Sequence, residues 1–206
     1  MAARKYDPEG TRRAILAAAR RTFVAKGVGE TSIADIAREA GVTKSLIHHH
    51  FGSKDDLWQA VKAASFEQYF SAMLEIIRSE GEGDEPLRRA MAFTFRFHQE
   101  HRDMGRMLSW MHLDGDPAKH PLHEQVAREG LERIRRAQRE GVFRDDVDAV
   151  SVQAGFLVLA SAYFQQKAMF ETWQLGAGDR GGDLDARYLR DMLKIFFEGL
   201  LARGPQ

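Results

Sequence analysis

The sequence predicts an all-α fold: an N-terminal three-helix helix-turn-helix domain, followed by a larger helical domain, about nine helices in all. Three observations predict it. Apolar residues recur at three- and four-residue spacing along most of the chain, and no segment alternates as a strand would. Capping residues and glycines punctuate these runs at helix-length intervals. The 206 residues are 44% hydrophobic, enough for one or two helical domains. No apolar run approaches the ~20 residues of a membrane-spanning helix, the longest lying around Gly155 to Phe164.

The first helix is expected over Pro8–Lys26, with Ile15, Ala19 and Phe23 four apart on its inner face and Gly27 and Gly29 ending it. Thr31 stands as N-cap of the second, and Ser32-x-x-Asp35 has the spacing of a capping box. Ile33, Ile36, Ala37 and Ala40 then share one face, and Gly41 supplies a left-handed turn above Val42. Thr43 caps a short third helix that buries Ile47 and Phe51. Ser53-x-x-Asp56 opens a long fourth helix reaching Arg78, with Leu57, Val61, Phe66, Phe70, Leu74 and Ile77 inward. GEGDEP at 81–86 is a loop, and helices follow at Leu87–Glu100 and Arg102–Leu113, ended by a turn at Asp114–Pro117. Pro121–Glu140 is amphipathic, with Leu122, Val126, Leu131 and Ile134 inward and Gly141 as terminator. A helix from Asp148 through Phe170, a glycine-rich connection at 176–183 and a last helix over Leu184–Ala202 complete the chain. The connection lacks the strand, the spacing and the Lys-Thr ending of a phosphate-binding loop.

Functional weight falls on residues 31–54. The third helix turns Lys44, Ser45, His48 and His49 outward, and a helix with a buried stripe and a short polar, basic outer face suits the DNA major groove. Lys44, Ser45, His48 and His49 are expected to face base edges or phosphates, and Thr43, His50 and Lys54 to grip phosphates. At these residues, and in Phe23 and Gly27 before them, the chain resembles the TetR family of transcriptional regulators. Members commonly carry tyrosines where His48 and His49 stand, so base preference is where this chain departs from the family pattern. The resemblance implies a dimeric, cytoplasmic repressor that binds near-palindromic operator DNA and is released by a small-molecule effector.

Charge agrees with that division. The chain is neutral overall, with 30 basic and 30 acidic residues, but residues 1–65 hold 11 Lys/Arg against 7 Asp/Glu, leaving the remainder at 19 against 23. The basic excess therefore accompanies the helix-turn-helix, where phosphate contacts require it. The domain boundary is placed between residues 54 and 55. The basic N-terminus lacks the apolar core of a secretory signal.

The last two helices carry large apolar residues on several sides. Phe156, Leu159, Tyr163, Leu189, Met192, Phe196 and Leu200 are the expected dimer contacts, in an intermolecular four-helix bundle that would set two recognition helices about one DNA turn, roughly 34 Å, apart. The resemblance implies an effector pocket in the body, and Phe93, Phe97, Met107, Trp110, Met111, Tyr163 and Gln166 are its expected lining; such aromatic and methionine side chains line adaptable apolar cavities and also build ordinary cores. The scarcity of charge among them favours a lipophilic ligand.

No cofactor, metal centre or catalytic constellation is expected. There is no cysteine. His48, His49 and His50 point about 100° apart on a helix. His98-x-x-His101 and His120-x-x-His123 have ligand spacing but no third partner in sequence, and read as surface histidines. Ser109 and His112 lack a nucleophile elbow. Two rivals remain: a metal-responsive regulator, and a helical ligand-binding or scaffold protein whose helix-turn-helix contacts another protein.

Overall fold

In the computed structural model, which describes residues 7–116, 120–174 and 183–200, nine helices and no strand are found among the described residues. They are α1 (Pro8–Lys26), α2 (Ile33–Ala40), α3 (Lys44–Phe51), α4 (Lys54–Arg78), α5 (Glu85–Glu100), α6 (Arg102–Leu113), α7 (Pro121–Arg139), α8 (Ala149–Gln174) and α9 (Leu184–Leu200). The bounds follow the expected ones closely. α5 starts two residues early because Pro86 fits its first turn, and α8 runs four residues past Phe170. Residues 176–182 of the predicted connection, the Pro117 end of the predicted turn, and the predicted extension of α9 beyond Leu200 lie outside the described residues.

Thr31 is a correction. The N-cap of α2 is Ser32, whereas Thr31 is buried and its hydroxyl donates to the Gly27 carbonyl at 2.7 Å. Thr31 thus satisfies an end carbonyl of α1 instead of the first amides of α2.

Backbone contacts gather the described residues into two compact units, one formed by those up to Gln68 with those between Arg106 and His120, the other by Tyr69–Gly105 with those from Pro121 onward. The first unit buries Ile15, Ala18, Ala19 and Phe23 of α1, Ile36 of α2, Ile47 of α3, and Leu57, Trp58 and Val61 of α4. Each large apolar side chain buried this way contributes about 2 kcal/mol. Phe23 meets Trp58 edge-on at 5.2 Å between centroids. The C-terminal half of α6 joins this core through Met107 and Met111. Beside them Trp110 donates its indole N–H to the Val24 carbonyl at 3.3 Å. Its ring covers Gly27 so closely that a Cβ there would sit 3.2 Å from ring carbons. Lys62 is buried at 2% exposure, with its ammonium 2.6 and 2.7 Å from the two oxygens of Asp116, whose Oδ2 also accepts from Trp58 Nε1 at 2.7 Å.

In the second unit α5 packs on α8 and α9, and α7 packs on α8. Its core holds Leu87, Met91, Phe95, Ile134, Phe143, Val152, Tyr163, Met192 and Phe197. Asp185, at the start of α9, is buried and fully engaged: it accepts from Tyr163 Oη at 2.7 Å, Gln99 Nε2 at 3.0 Å and Lys167 Nζ at 2.6 Å. Burial raises its carboxyl but these three partners outweigh it, so the group is held below the usual carboxylate range.

Two histidines depart from the expected surface position. His98 is buried, and desolvation, reinforced by neighbouring His101, pushes it down to about 4. His120 is buried in the first unit, with Nε2 3.2 Å from Glu67 Oε2. Among the described residues no group of three or more His, Cys, Asp or Glu side chains is placed to hold a metal. No described helix is long and apolar enough to cross a membrane.

Candidate nucleic-acid interface

α2, its turn and α3 are fixed by local hydrogen bonds that the sequence specifies residue by residue. Ser32 and Asp35 form a reciprocal capping box, Asp35 N–H donating to Ser32 Oγ at 3.1 Å and Ser32 N–H to Asp35 Oδ2 at 3.2 Å. Ser32's hydroxyl and amide bonds, joined by Lys26 and Arg38, hold the Asp35 carboxyl down at about 2. Gly41 adopts φ +66 and ψ +32, a left-handed conformation, and the Val42 N–H reaches back to the Ala37 carbonyl at 3.0 Å. That six-to-one bond is the Schellman closure of α2, and glycine adopts the required φ without steric cost. Two residues later Thr43 caps α3 by accepting from the Leu46 N–H at 3.3 Å.

α3 then presents two faces. Ile47 is 1% exposed and anchors the helix in the core, while Phe51 is half-buried beneath the Arg12 guanidinium at 5.1 Å. Thr43, Lys44, Ser45, His48 and His49 are exposed. At 100° per residue, positions 44, 45, 48 and 49 fall within an arc of roughly 140° that excludes both Ile47 and Phe51. No carboxylate occurs between Glu39 and Asp55, so nothing in this stretch repels a phosphate. Ser45 Oγ pairs with Thr43 Oγ1 at 3.1 Å, and His48 Nδ1 lies 2.6 Å from the Gly52 carbonyl oxygen. His50 is half-buried, its ring edge-on to His49 and tilted against Phe51.

Lys54 also holds the head together. Its ammonium donates to the carbonyls of Val28 at 3.0 Å and Thr31 at 3.2 Å, tying the α1–α2 connection to the start of α4. These bonds use two of the ammonium's three donors, which leaves one for a further acceptor. The capping box predicted at Ser53 is present, with Asp56 N–H to Ser53 Oγ at 3.0 Å and Ser53 N–H to Asp56 Oδ2 at 3.1 Å.

The residues expected to line an effector pocket are distributed rather than gathered. Met107, Trp110 and Met111 pack within the first unit. In the second, Phe93 and Phe97 share the ring of Tyr69, at 5.8 and 5.1 Å. Tyr163 is a core residue stacked on Tyr188 at 4.1 Å, and Gln166 is exposed. A cleft of about 540 Å³ does open in the second unit, lined by polar residues of the α4 end, the following loop and α7, including Arg78, Glu129, Arg133 and Arg136. Sequence reasoning missed it because its charges read as an ordinary solvated face. Here they pair with one another and cap α4: Arg78 with Glu129, Arg136 with Glu140, and Arg133 with the Ile77 carbonyl.

The expected dimer contacts also divide. Tyr163 and Met192 belong to the core of the second unit, at 1% and 5% exposure, while Phe156, Leu189 and Phe196 are half-buried and Leu159 is exposed. The side chain of Leu200 lies outside the described set. Among the described residues of α8 and α9, the large apolar side chains left bare are Val150, Leu157, Val158, Leu159, Met169 and Trp173 of α8 with Ile195 of α9. On α8 they spread over roughly half the circumference.

A groove-ready recognition helix on a capped helix-turn-helix, followed by an all-helical body, defines a DNA-binding regulator. Residues 15–61 match the family described as bacterial regulatory proteins, tetR family, and residues 84–176 match the tetracyclin repressor-like C-terminal domain. The chain is 30% identical to the HTH-type transcriptional repressor SCO4008 of Streptomyces coelicolor, over 94% of this chain and 95% of that one. It is 46% identical to the HTH-type transcriptional regulator TtgR of Pseudomonas putida over 57 residues, 28% of this chain and 27% of that one. The crystal structure of the putative transcriptional regulator SCO4942 from Streptomyces coelicolor superposes with a TM-score of 0.72 at 22% identity, covering 92% of this chain and 98% of that chain. The chain belongs to the tetR family and is a DNA-binding transcriptional regulator.

Proposed function

We propose that the protein is a homodimeric repressor that binds a near-palindromic operator through α3 and leaves it when a small, lipophilic molecule occupies the C-terminal body. The observation that carries this reading is the exposed, acid-free face of α3, with Lys44, Ser45, His48 and His49 turned outward over a buried Ile47. Those four side chains contact base edges and phosphates. Thr43 and His50 contact the flanking phosphates. Lys54 serves the head internally through its two carbonyl bonds. Repression is favoured because the relative of similar length is named as a repressor.

Dimerisation is supported by the bare apolar side of α8, which is larger than single scattered surface residues require. Release of DNA is a population shift, for which the effector must bind the released form more tightly than the operator-bound form. A lipophilic effector is supported by the aromatic and methionine content of the body, Phe93, Phe97 and Tyr163 among them. The protein acts by binding rather than catalysis, in the cytoplasm where its operator lies.

Gel shift against genomic fragments tests the reading. Lys44→Ala should weaken binding roughly tenfold, about the value of one charged contact, and flatten its salt dependence while leaving the circular dichroism unchanged. Equal affinity of Lys44→Ala and wild type would refute the assignment of α3. A monomer mass by light scattering at micromolar concentration would refute the dimer.

A further inference from the structure

His48 stands on the exposed side of α3 with its Nδ1 2.6 Å from the Gly52 carbonyl oxygen. A carbonyl oxygen can only accept, so Nδ1 carries the proton of that bond. In the neutral imidazole this leaves Nε2 without a proton, as an acceptor. The ring is also held in orientation, because residues 48 and 52 are joined twice: the Gly52 N–H donates to the His48 carbonyl at 2.9 Å. Gly52 has φ +80 and ψ −96, a conformation open to glycine, and in it the carbonyl reaches back to the ring.

A fixed acceptor on a recognition helix is selective. Phosphate oxygens offer no donor, so a neutral His48 gains nothing from the DNA backbone through Nε2. In the major groove the donors are the exocyclic amines, N6 of adenine and N4 of cytosine, while guanine and thymine present acceptors. We infer that His48 is a specificity-determining residue that accepts a hydrogen bond from the exocyclic amine of an adenine or cytosine in each operator half-site. This rests on α3 being the recognition helix, as proposed above. A tyrosine at this place, common in the family, carries a hydroxyl that donates to phosphate equally well. The histidine, tethered through Nδ1, trades that general contact for a base-specific one.

The test is run at pH 8 with the full chain. Bound duplexes are selected from a random library by wild type, by His48→Ala and by His48→Gln, which keeps an acceptor. Wild type should enrich one A or C position that His48→Ala no longer distinguishes and His48→Gln partly retains. That base is then replaced by its amine-free analogue, purine for adenine or 2-pyrimidinone for cytosine. The replacement should cost wild type about fivefold to tenfold in affinity, the worth of one hydrogen bond, and cost His48→Ala nothing. ¹⁵N NMR of the imidazole should place the proton on Nδ1. A proton on Nε2 would overturn the inference. So would a uniform loss of affinity in His48→Ala without change of preference, which marks a phosphate or purely structural role. An amine deletion that costs wild type and His48→Ala equally would do the same. If wild type enriches no sequence at all, the DNA-binding reading itself fails, an outcome distinct from the other three.

Discussion

Removing Asp116 should be far more damaging than removing the lysine it neutralises. Lys62 is 2% exposed, and both Asp116 oxygens lie within hydrogen-bond reach of its ammonium. In Asp116→Ala the ammonium stays buried without its counter-charge and Trp58 Nε1 loses its acceptor. Breaking a buried pair from one side costs roughly 3–5 kcal/mol. The Asp116 side chain is 24% exposed, so water reaches the site and the lower end applies, about 3 kcal/mol. Lys62→Met instead keeps a side chain of similar length, and leaves a carboxylate that retains the Trp58 bond and a solvated edge. Its cost should be about 1 kcal/mol. The double variant removes both charges and should recover about 2 kcal/mol relative to Asp116→Ala. Urea unfolding at fixed protein concentration reads these differences: with a slope of about 2 kcal/mol/M, Asp116→Ala should lower the midpoint by about 1.5 M and Lys62→Met by about 0.5 M. If Lys62→Met is as damaging as Asp116→Ala, or the double variant is no better than Asp116→Ala alone, the ammonium is not held by this carboxylate and the reasoning fails.

Burial holds His98 at about 4 against the usual 6.5, so the unfolded chain protonates first as pH falls. Stability should be full above pH ~6.5 and decline by about 3 kcal/mol by pH ~4, and His98→Phe should flatten that decline in unfolding midpoints measured across the range. The Asp35 carboxyl sits at about 2 through its capping box, so its contribution is present above the usual carboxylate range and lost as pH falls towards 2. Asp35→Asn should therefore lower stability at neutral pH and leave a shallower acid limb, read by circular dichroism during acid titration. A Cβ on Gly41 meets nothing within 4 Å, so Gly41→Ala should cost only the backbone strain of its positive φ, about 1 kcal/mol. Gly27→Ala adds a 3.2 Å approach to the Trp110 ring and should lower the melting temperature further; the opposite order would refute that packing.

The helix ends and the α4 stripe were legible because their causes are local. Capping spacing at Ser53, the left-handed glycine at position 41 and the fourfold repeat from Leu57 to Ile77 each encode one element in adjacent residues. Positions whose role is set by distant chain were not. Lys54 reads as a phosphate contact and Lys62 carries no signal in its neighbours, yet one bonds two carbonyls more than twenty positions upstream and the other meets Asp116 fifty-four positions downstream. Trp110 has the composition of a pocket residue, and only its bond to Val24 and its cover over Gly27 show it to be part of the DNA-binding unit. The recognition face was readable because solvent exposure of α3 follows directly from which side carries Ile47.

The attachment of α6 to the head has a consequence for anyone moving these parts between proteins. A fragment ending near Gln68 would leave the Val24 carbonyl, Trp58 Nε1 and the Lys62 ammonium without the partners that Trp110 and Asp116 provide. On the ribosome the head therefore waits for 48 further residues, Tyr69 to Asp116, before these bonds can close. A chimera that grafts this reading head onto another body must transplant residues 106–116 with it, or redesign the surface they cover.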